Sequence, residues 1–337
     1  MSVTAPPLPT ELQVEVTGAC NLACKMCLVR YRPKLGRREG AMCFHTFKAL
    51  VDELPHVEKV TLQGLGEPLL APDLFRMIEY ASARGIRMGF NSNGTLLTRE
   101  RAERLVDAGL DWLHVSLDGA TAATYEAIRH GARFDVVTRN IRSLVSVLRE
   151  RRAERPTVQV VFVAMRRNVR ELPVLVRLLA EWGVERLWVQ NLSHSFGDTD
   201  PSGAYADIRE FAARDALWAD EDKEEAARIF AETAELAAGL GLELRLPRLE
   251  EPPARPRPLG TPGCHWPFES AYVTHDGKVQ PCCMVMGSDR VVLGDVGQER
   301  FGAVWTSEAY RSFRAGLTGE APVPEVCAGC SLYRGVF

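Results

Sequence analysis

Apolar and β-branched residues fall into six short runs along the first two thirds of the chain, at 12–16 (LQVEV), 57–63 (VEKVTLQ), 86–90 (IRMGF), 112–117 (WLHVSL), 157–165 (TVQVVFVAM) and 185–190 (ERLWVQ). Each has the length and composition of a strand. Between them the apolar spacing changes to a helical period. In 98–109 and its edge, Leu105, Val106 and Leu110 fall close to one face, and in 134–150 Val137, Ile141, Leu144, Val145 and Leu148 do the same. Six strands alternating with helices predict an α/β fold with a parallel sheet, open or curled into a partial (β/α)6 barrel. In such sheets chemistry gathers beyond the carboxyl ends of the strands, so polar residues just after each run are the candidates for function.

A charged helical stretch follows at 204–240, read as one or two amphipathic helices. Residues 247–263 (PRLEEPPARPRPLGTPG) then carry six prolines, which forbids a continuous helix or central strand and predicts a linker. The chain thus divides into a barrel domain with a helical extension (1–246), a linker (247–263) and a small cysteine-rich module (264–337). That module is too short to hold itself by apolar burial alone, and a metal site supplies the missing stability.

The remaining composition narrows the class. With 46% hydrophobic and 25% charged residues and a net charge of -3, the 337 residues show no global pull toward nucleic acid or acidic membrane. No apolar run approaches the roughly 18 residues of a membrane span, and the N-terminus lacks a signal-peptide pattern, so a cytoplasmic location is expected. Nine cysteines in that setting argue for metal sites rather than disulfides. They form an early group (Cys20, Cys24, Cys27 and Cys43) and a late one (Cys264, Cys282, Cys283, Cys327 and Cys330).

Cys20, Cys24 and Cys27 have the spacing C-x3-C-x2-C directly after the first strand. A [4Fe–4S] cluster wants four ligands, so three thiolates leave one iron open to a cofactor or substrate. The alternatives are a zinc knob or buried core cysteines, but structural zinc usually takes four local ligands, and Cys43 and His45 are awkwardly spaced for the fourth. The motif and its place resemble the signature of the radical S-adenosylmethionine (SAM) superfamily. The resemblance implies that SAM chelates the open iron and is reductively cleaved to methionine and a 5′-deoxyadenosyl radical, which takes a hydrogen atom from the substrate. The cofactor carries that chemistry, and the protein orients it. Met26 stands where the family often has an aromatic residue.

Further motifs follow in family order over about residues 10–190. After the second strand, Gly64-Leu65-Gly66-Glu67-Pro68 resembles the family's Gly-Gly-Glu-Pro, with Leu65 in place of a glycine. By that resemblance Gly66 and Glu67 serve the methionine amine of SAM, glycine permitting close backbone approach. The other reading is an ordinary turn before a helix capped near Asp73. After the third strand, Asn91-Ser92-Asn93-Gly94 is a turn by composition and resembles the family's polar loop. After the fourth, Ser116 and Asp118 lie where the family binds ribose and the methionyl moiety, though Asp118 also suits a helix cap for 121–129. Arg129 resembles the arginine that pairs the methionine carboxylate, a task suited to a bidentate fork; a surface arginine is the alternative. The fifth and sixth strands, ending near Met165 and Gln190, would flank the adenine.

In the late group Cys264 and Cys282 bracket Val273-Thr-His-Asp-Gly277-Lys-Val-Gln, which reads as a β-hairpin with Asp-Gly at its turn and would bring the two cysteines together. Cys327-Ala-Gly-Cys330 closes the set. Four thiolates complete a [4Fe–4S] cluster or a zinc ribbon. The region resembles the SPASM/twitch modules, in the shorter twitch form with one auxiliary cluster, which passes electrons or shapes the site. Cys283 follows a ligand directly and, on a strand, would face away from it. It is a candidate hydrogen-atom donor, as cysteines are in similar epimerases, or a small core residue. Cys43 reads as a packing residue. The basic run Arg30, Arg32, Lys34, Arg37 and Arg38, and the loop Ser193–Asp198, are candidate substrate contacts.

Three functions remain open. One is an oxidoreductase or epimerase acting on a small polar natural-product intermediate, such as a sugar or aminocyclitol, with flavodoxin or ferredoxin as electron donor. The second is a maturase of a ribosomally made peptide; with the first predicted strand beginning within about a dozen residues, a leader-binding extension is not expected on this chain, and a partner chain could supply it. The third is a zinc-stabilised binding protein without catalysis.

Overall fold

The computed structural model describes residues 6–31, 40–192, 205–217, 220–249, 262–285 and 290–334. The six expected strands are β1 (Glu11–Val14), β2 (Lys59–Thr61), β3 (Arg87–Ser92), β4 (Trp112–Ser116), β5 (Thr157–Ala164) and β6 (Arg186–Asn191). They lie side by side in chain order, each parallel to the next. The crossovers hold α1 (Leu28–Tyr31), α2 (Phe44–Asp52), α3 (Leu74–Ser82), α4 (Arg99–Asp107), α5 (Ala122–Ile128), α6 (Phe134–Arg151) and α7 (Leu172–Trp182). Leu105 in α4 and Val137, Ile141, Leu144 and Val145 in α6 are buried, as their spacing requires.

The strands alternate sharply. In β4, Leu113 and Val115 are buried while Trp112, His114 and Ser116 are half-buried; in β6, Leu187, Val189 and Asn191 are buried while Arg186, Trp188 and Gln190 are half-buried. One face therefore packs under the helices, and the other is the open inner face of a partial barrel. Gly89 lets Trp112 lie across β3, because a Cβ there would meet the indole at 2.1 Å.

Beyond β6 come α8 (Ala206–Asp215), α9 (Asp220–Gly239) and β7 (Glu243–Arg245), which pairs parallel with β6. The chain then returns to the far side of the sheet. β8 (Ser270–Val273) pairs parallel with β1, β9 (Lys278–Gln280) runs antiparallel beside it, and β10 (Gly294–Asp295) closes the edge. The β8–β9 hairpin turns at Gly277, whose φ of +86° suits glycine. The cysteine-rich segment thus extends the barrel's own sheet. Neither β7 nor the β8–β1 pairing was expected: three-residue strands carry little pattern, and an edge pairing across some 260 residues leaves none. Of the linker, 250–261 lies outside the described residues, as do Arg32, Lys34, Arg37, Arg38 and the loop 193–198.

Candidate active site

The first cysteine loop leaves β1 and is pinned by backbone hydrogen bonds on both sides of Cys24. Ala23 N–H donates to the His130 carbonyl (3.0 Å) and Lys25 N–H to that of Ile128 (3.0 Å). Cys24 is buried, and Cys20 and Cys27 are half-buried. Burial pushes all three thiols up, Cys27 to about 12, with Glu67 adding at Cys20 and Arg129 opposing at Cys24. Thiols so placed stay protonated in the absence of metal, and binding a metal ion would displace their protons to solvent.

The loop after β2 packs directly on this one. A Cβ at Gly66 would meet the Thr17 carbonyl oxygen at 2.1 Å and that of Ala19 at 2.6 Å, and Glu67 N–H donates to the Ala19 carbonyl (2.8 Å). Gly66 is therefore required by the approach of two protein loops. The Glu67 carboxylate is buried and accepts from Leu69 N–H (3.1 Å), Ser92 Oγ (2.8 Å) and Asn93 N–H (2.7 Å). Burial raises its pKa against those hydrogen bonds. Asn93 Nδ2 donates to Asn21 Oδ1 (2.9 Å) and stands 3.9 Å from Cys20 Sγ, so Glu67, Ser92 and Asn93 gather at Cys20. Asp73 precedes α3 without capping it; its carboxylate accepts from Phe44 N–H (2.9 Å).

Asp118 and Arg129 gather at Cys24. Asp118 Oδ2 accepts from Arg129 Nε (2.6 Å), Oδ1 accepts from Val163 N–H (2.7 Å), and the side chain is fully buried. It caps no helix: α5 is capped by Thr121, whose hydroxyl accepts from Thr124 N–H. Arg129 is no surface arginine either. It is 9% exposed, and its Nη1 lies 3.9 Å from Cys24 Sγ. Asn91 and Ser116 stand apart on the inner face, Asn91 Oδ1 being 3.0 Å from His114 Nδ1.

Several supporting residues escaped the sequence reading. Glu15, at the end of β1, is buried; its carboxylate accepts from Leu65 N–H (2.9 Å) and Tyr272 Oη (3.0 Å) and pairs with His275 Nδ1 (2.7 Å). It ties the loop after β2 to the β8–β9 hairpin. Burial works against its charge, and the His275, Leu65 and Tyr272 contacts outweigh this and hold its pKa below the ordinary value. A charge inside the apolar run LQVEV was the available signal. Asn168 donates to the carbonyls of Asp118 (3.1 Å) and Val163 (2.9 Å), and Glu171 accepts from Ala120 N–H (2.6 Å) and the Thr121 hydroxyl (2.9 Å), fixing the loops after β4 and β5.

At the second site Cys264, Cys282, Cys327 and Cys330 line one cavity with Pro267, Phe313, Leu317 and Val326. Four helices contribute to its lining, α10 (Trp266–Glu269), α12 (Glu308–Thr318), α13 (Glu325–Ala328) and α14 (Ser331–Arg334), while α11 (Phe301–Trp305) precedes α12. Thiols spread around a shared cavity suit a cubane, in which each binds a different iron. Cys283 begins a 3-10 turn (Cys283–Val285), so the strand alternation expected for it does not apply. Burial raises its thiol to about 12, with Cys330 and Cys264 adding to the rise. Cys43 is exposed rather than packed, its Sγ 3.2 Å from Thr46 Oγ1.

A partial barrel with three cysteines on its first loop and four more around a cavity at the sheet's far edge defines an iron–sulfur enzyme of the SAM-cleaving kind. The chain belongs to the radical SAM superfamily, whose sequence profile matches residues 14–179, and a SPASM iron–sulfur cluster-binding domain matches 264–331. Its cofactors are SAM, a [4Fe–4S] cluster and an auxiliary iron–sulfur cluster, which sets the zinc-protein reading aside. It is similar over 95% of its length, at 27% identity, to a tungsten-containing aldehyde ferredoxin oxidoreductase cofactor-modifying protein of Pyrococcus furiosus, 87% of which is covered. The AdoMet-dependent heme synthase of Methanosarcina barkeri is 29% identical over 96% of this chain and 91% of its own. Mycofactocin maturase MftC of Mycobacterium tuberculosis is 34% identical, but over 52% of this chain and 43% of its own. Among solved structures, Streptococcus suis SuiB bound to S-adenosylmethionine shares the fold, with TM-score 0.70 and 17% identity over 97% of this chain and 71% of that one. Among the described residues no helix is long and apolar enough to cross a membrane.

Proposed function

We propose that the chain is a radical SAM oxidoreductase acting on a small polar molecule, of the size of a sugar or aminocyclitol, bound on the inner face of the barrel. Cys20, Cys24 and Cys27 hold the first cluster; Cys264, Cys282, Cys327 and Cys330 hold the auxiliary one. Together the first cluster and SAM supply a radical that removes a hydrogen atom from an unactivated carbon. Gly66, Glu67, Ser92 and Asn93 shape the SAM site beside Cys20, Arg129 offers its guanidinium to the methionine carboxylate, and Asp118 orients Arg129 from behind. Asn91 and Ser116 contact the cofactor or substrate from the inner face.

The observation that carries the substrate class is the character of that face. Its half-buried positions include the amide, imidazole and indole groups of Asn91, Trp112, His114, Gln159 and Trp188, and the cations on the same face, Lys59 and Arg186, are paired with Glu11 (3.0 Å) and Glu243 (3.0 Å). His114 and Trp188 meet edge to face (6.4 Å). Burial, helped by the nearby Lys59 charge, pushes the His114 pKa down to about 4, so at neutral pH it is an uncharged hydrogen-bonding group. Such a surface suits hydroxyl-bearing rings better than a charged chain. The two relatives matched along most of their length are named for a cofactor and a heme, which supports a small-molecule substrate. The peptide-maturase reading rests on MftC, matched over less than half its length.

Addition of the low-molecular-mass fraction of source-cell extract to the reduced, cluster-loaded protein should raise 5′-deoxyadenosine release above the substrate-free rate, and protease treatment of that fraction should not matter. Stimulation only by a protease-sensitive fraction would favour the maturase. Cys264, Cys282, Cys327 and Cys330 would hold an auxiliary cluster able to accept the electron that a substrate radical gives up when it also loses a proton and ends as a ketone, with Cys283 structural and flavodoxin or ferredoxin as the external donor. With the substrate in deuterated water, product lacking solvent deuterium at the reacting carbon and a Cys283→Ala variant of near wild-type turnover are expected. Deuterium in the wild-type product, lost together with product in the variant, would instead make Cys283 the hydrogen donor of an epimerase.

A further inference from the structure

Glu15, just after β1, is a buried carboxylate to which the assignments above give no part in the reaction. Such a group is costly unless its oxygens are hydrogen-bonded. Here Oε2 accepts from Leu65 N–H (2.9 Å) and Tyr272 Oη (3.0 Å), and Oε1 accepts from His275 Nδ1 (2.7 Å). The donors come from two places far apart in sequence. One is the loop after β2, and the other is the β8–β9 hairpin, which lies between Cys264 and Cys282.

The loop that Glu15 holds is the one assigned to SAM. Gly64, Leu65 and Gly66 lie outside any helix or strand, and glycines leave such a segment many conformations. Contacts along the loop remove that freedom. The Gln63 carbonyl accepts from Gln13 Nε2 (3.0 Å), and Glu67 N–H donates to the Ala19 carbonyl (2.8 Å). Leu65, midway between them, is held by Glu15. Gly64 makes room for the carboxylate, because an added Cβ would meet Glu15 Cγ at 2.2 Å and Oε2 at 2.5 Å. Glu15 thus seats the centre of the loop, with Gly66 and Glu67 directly after it. A loop ordered beforehand costs less to order when a ligand binds.

We infer that Glu15 is a positioning residue for SAM, and that the β8–β9 hairpin supports the SAM site by holding Glu15 through Tyr272 and His275. The inference rests on the placing of SAM against Gly66 and Glu67.

The test is equilibrium dialysis of SAM against full-length, reconstituted protein without reductant, with iron analysis alongside. Wild type is compared with Glu15→Leu and Glu15→Gln. Leucine fills much of the same space and accepts no hydrogen bond. Glutamine keeps an acceptor oxygen for Leu65 and Tyr272, and its amide N–H can donate to His275 Nδ1. At wild-type iron content, Glu15→Leu should bind SAM roughly tenfold more weakly or worse, and Glu15→Gln should stay near wild type. The change that SAM causes in the EPR signal of the reduced first cluster should need correspondingly more SAM in Glu15→Leu. Wild-type affinity in Glu15→Leu at full iron would overturn the inference. If Glu15→Leu fails to hold iron, Tyr272→Phe decides, since it keeps the ring and removes one donor. Affinity about threefold weaker or more at full iron is then expected, and an unchanged affinity would overturn the inference. Failure of the underlying reading is seen separately, as wild-type SAM binding by Gly66→Ala, which would take SAM away from this loop.

Discussion

Asp118 commits both carboxylate oxygens inside the protein, one to Arg129 Nε and one to Val163 N–H. Asp118→Asn would keep the shape and leave the Arg129 charge buried without its counterion. Breaking a buried pair in this way costs about 3–5 kcal/mol. Chemical denaturation of the loaded protein should show a loss of that order, and equilibrium dialysis should show weaker SAM binding; wild-type stability would mean that Arg129 has another buried partner. Which residues gather at Cys20 and Cys24 was legible at this scale wherever the signal was local. The C-x3-C-x2-C spacing, Glu67 and Arg129 each stand within a short recognisable segment. Glu15 was not legible, because Leu65 lies 50 residues away and Tyr272 and His275 lie 257 and 260 away. The strand alternation expected at Cys283 fails for a local reason: β9 ends at Gln280, and the chain has already turned when it reaches the cysteine.

The element that most constrains the first site is the loop after β2, wedged against the cysteine loop through Gly66. With a Cβ only 2.1 Å from the Thr17 carbonyl oxygen, Gly66→Ala requires one of the two loops to move. We expect reconstituted Gly66→Ala to lose SAM binding and much of the first cluster's iron while the circular dichroism of the helices persists; full iron and wild-type SAM affinity would show that the loops have slack. The helices and strands of the barrel were readable because periods of 3.6 and 2 persist over several residues. β7, β8 and β10, of two to four residues, are placed by the edges they join rather than by their own pattern.

Across the molecule, one sheet carries both cysteine groups: β1 leads into the first, and β8, its parallel neighbour, lies between Cys264 and Cys282. Glu15 bridges the two regions through Leu65 and His275. Three and four cysteines at two [4Fe–4S] sites imply about eight irons per chain when fully loaded. Replacing Cys327 and Cys330 with Ala should bring the count to about four and leave the SAM-responsive signal in place; about four irons in the wild type, unmoved by these changes, would remove the second cluster from these ligands. The central claim, that Cys20, Cys24 and Cys27 present a cluster to SAM, is tested most directly by 5′-deoxyadenosine release from anaerobically reconstituted protein given SAM and a strong reductant. Wild-type protein should release it, and the variant with all three cysteines replaced by Ala should release none. Equal release from both would contradict the account.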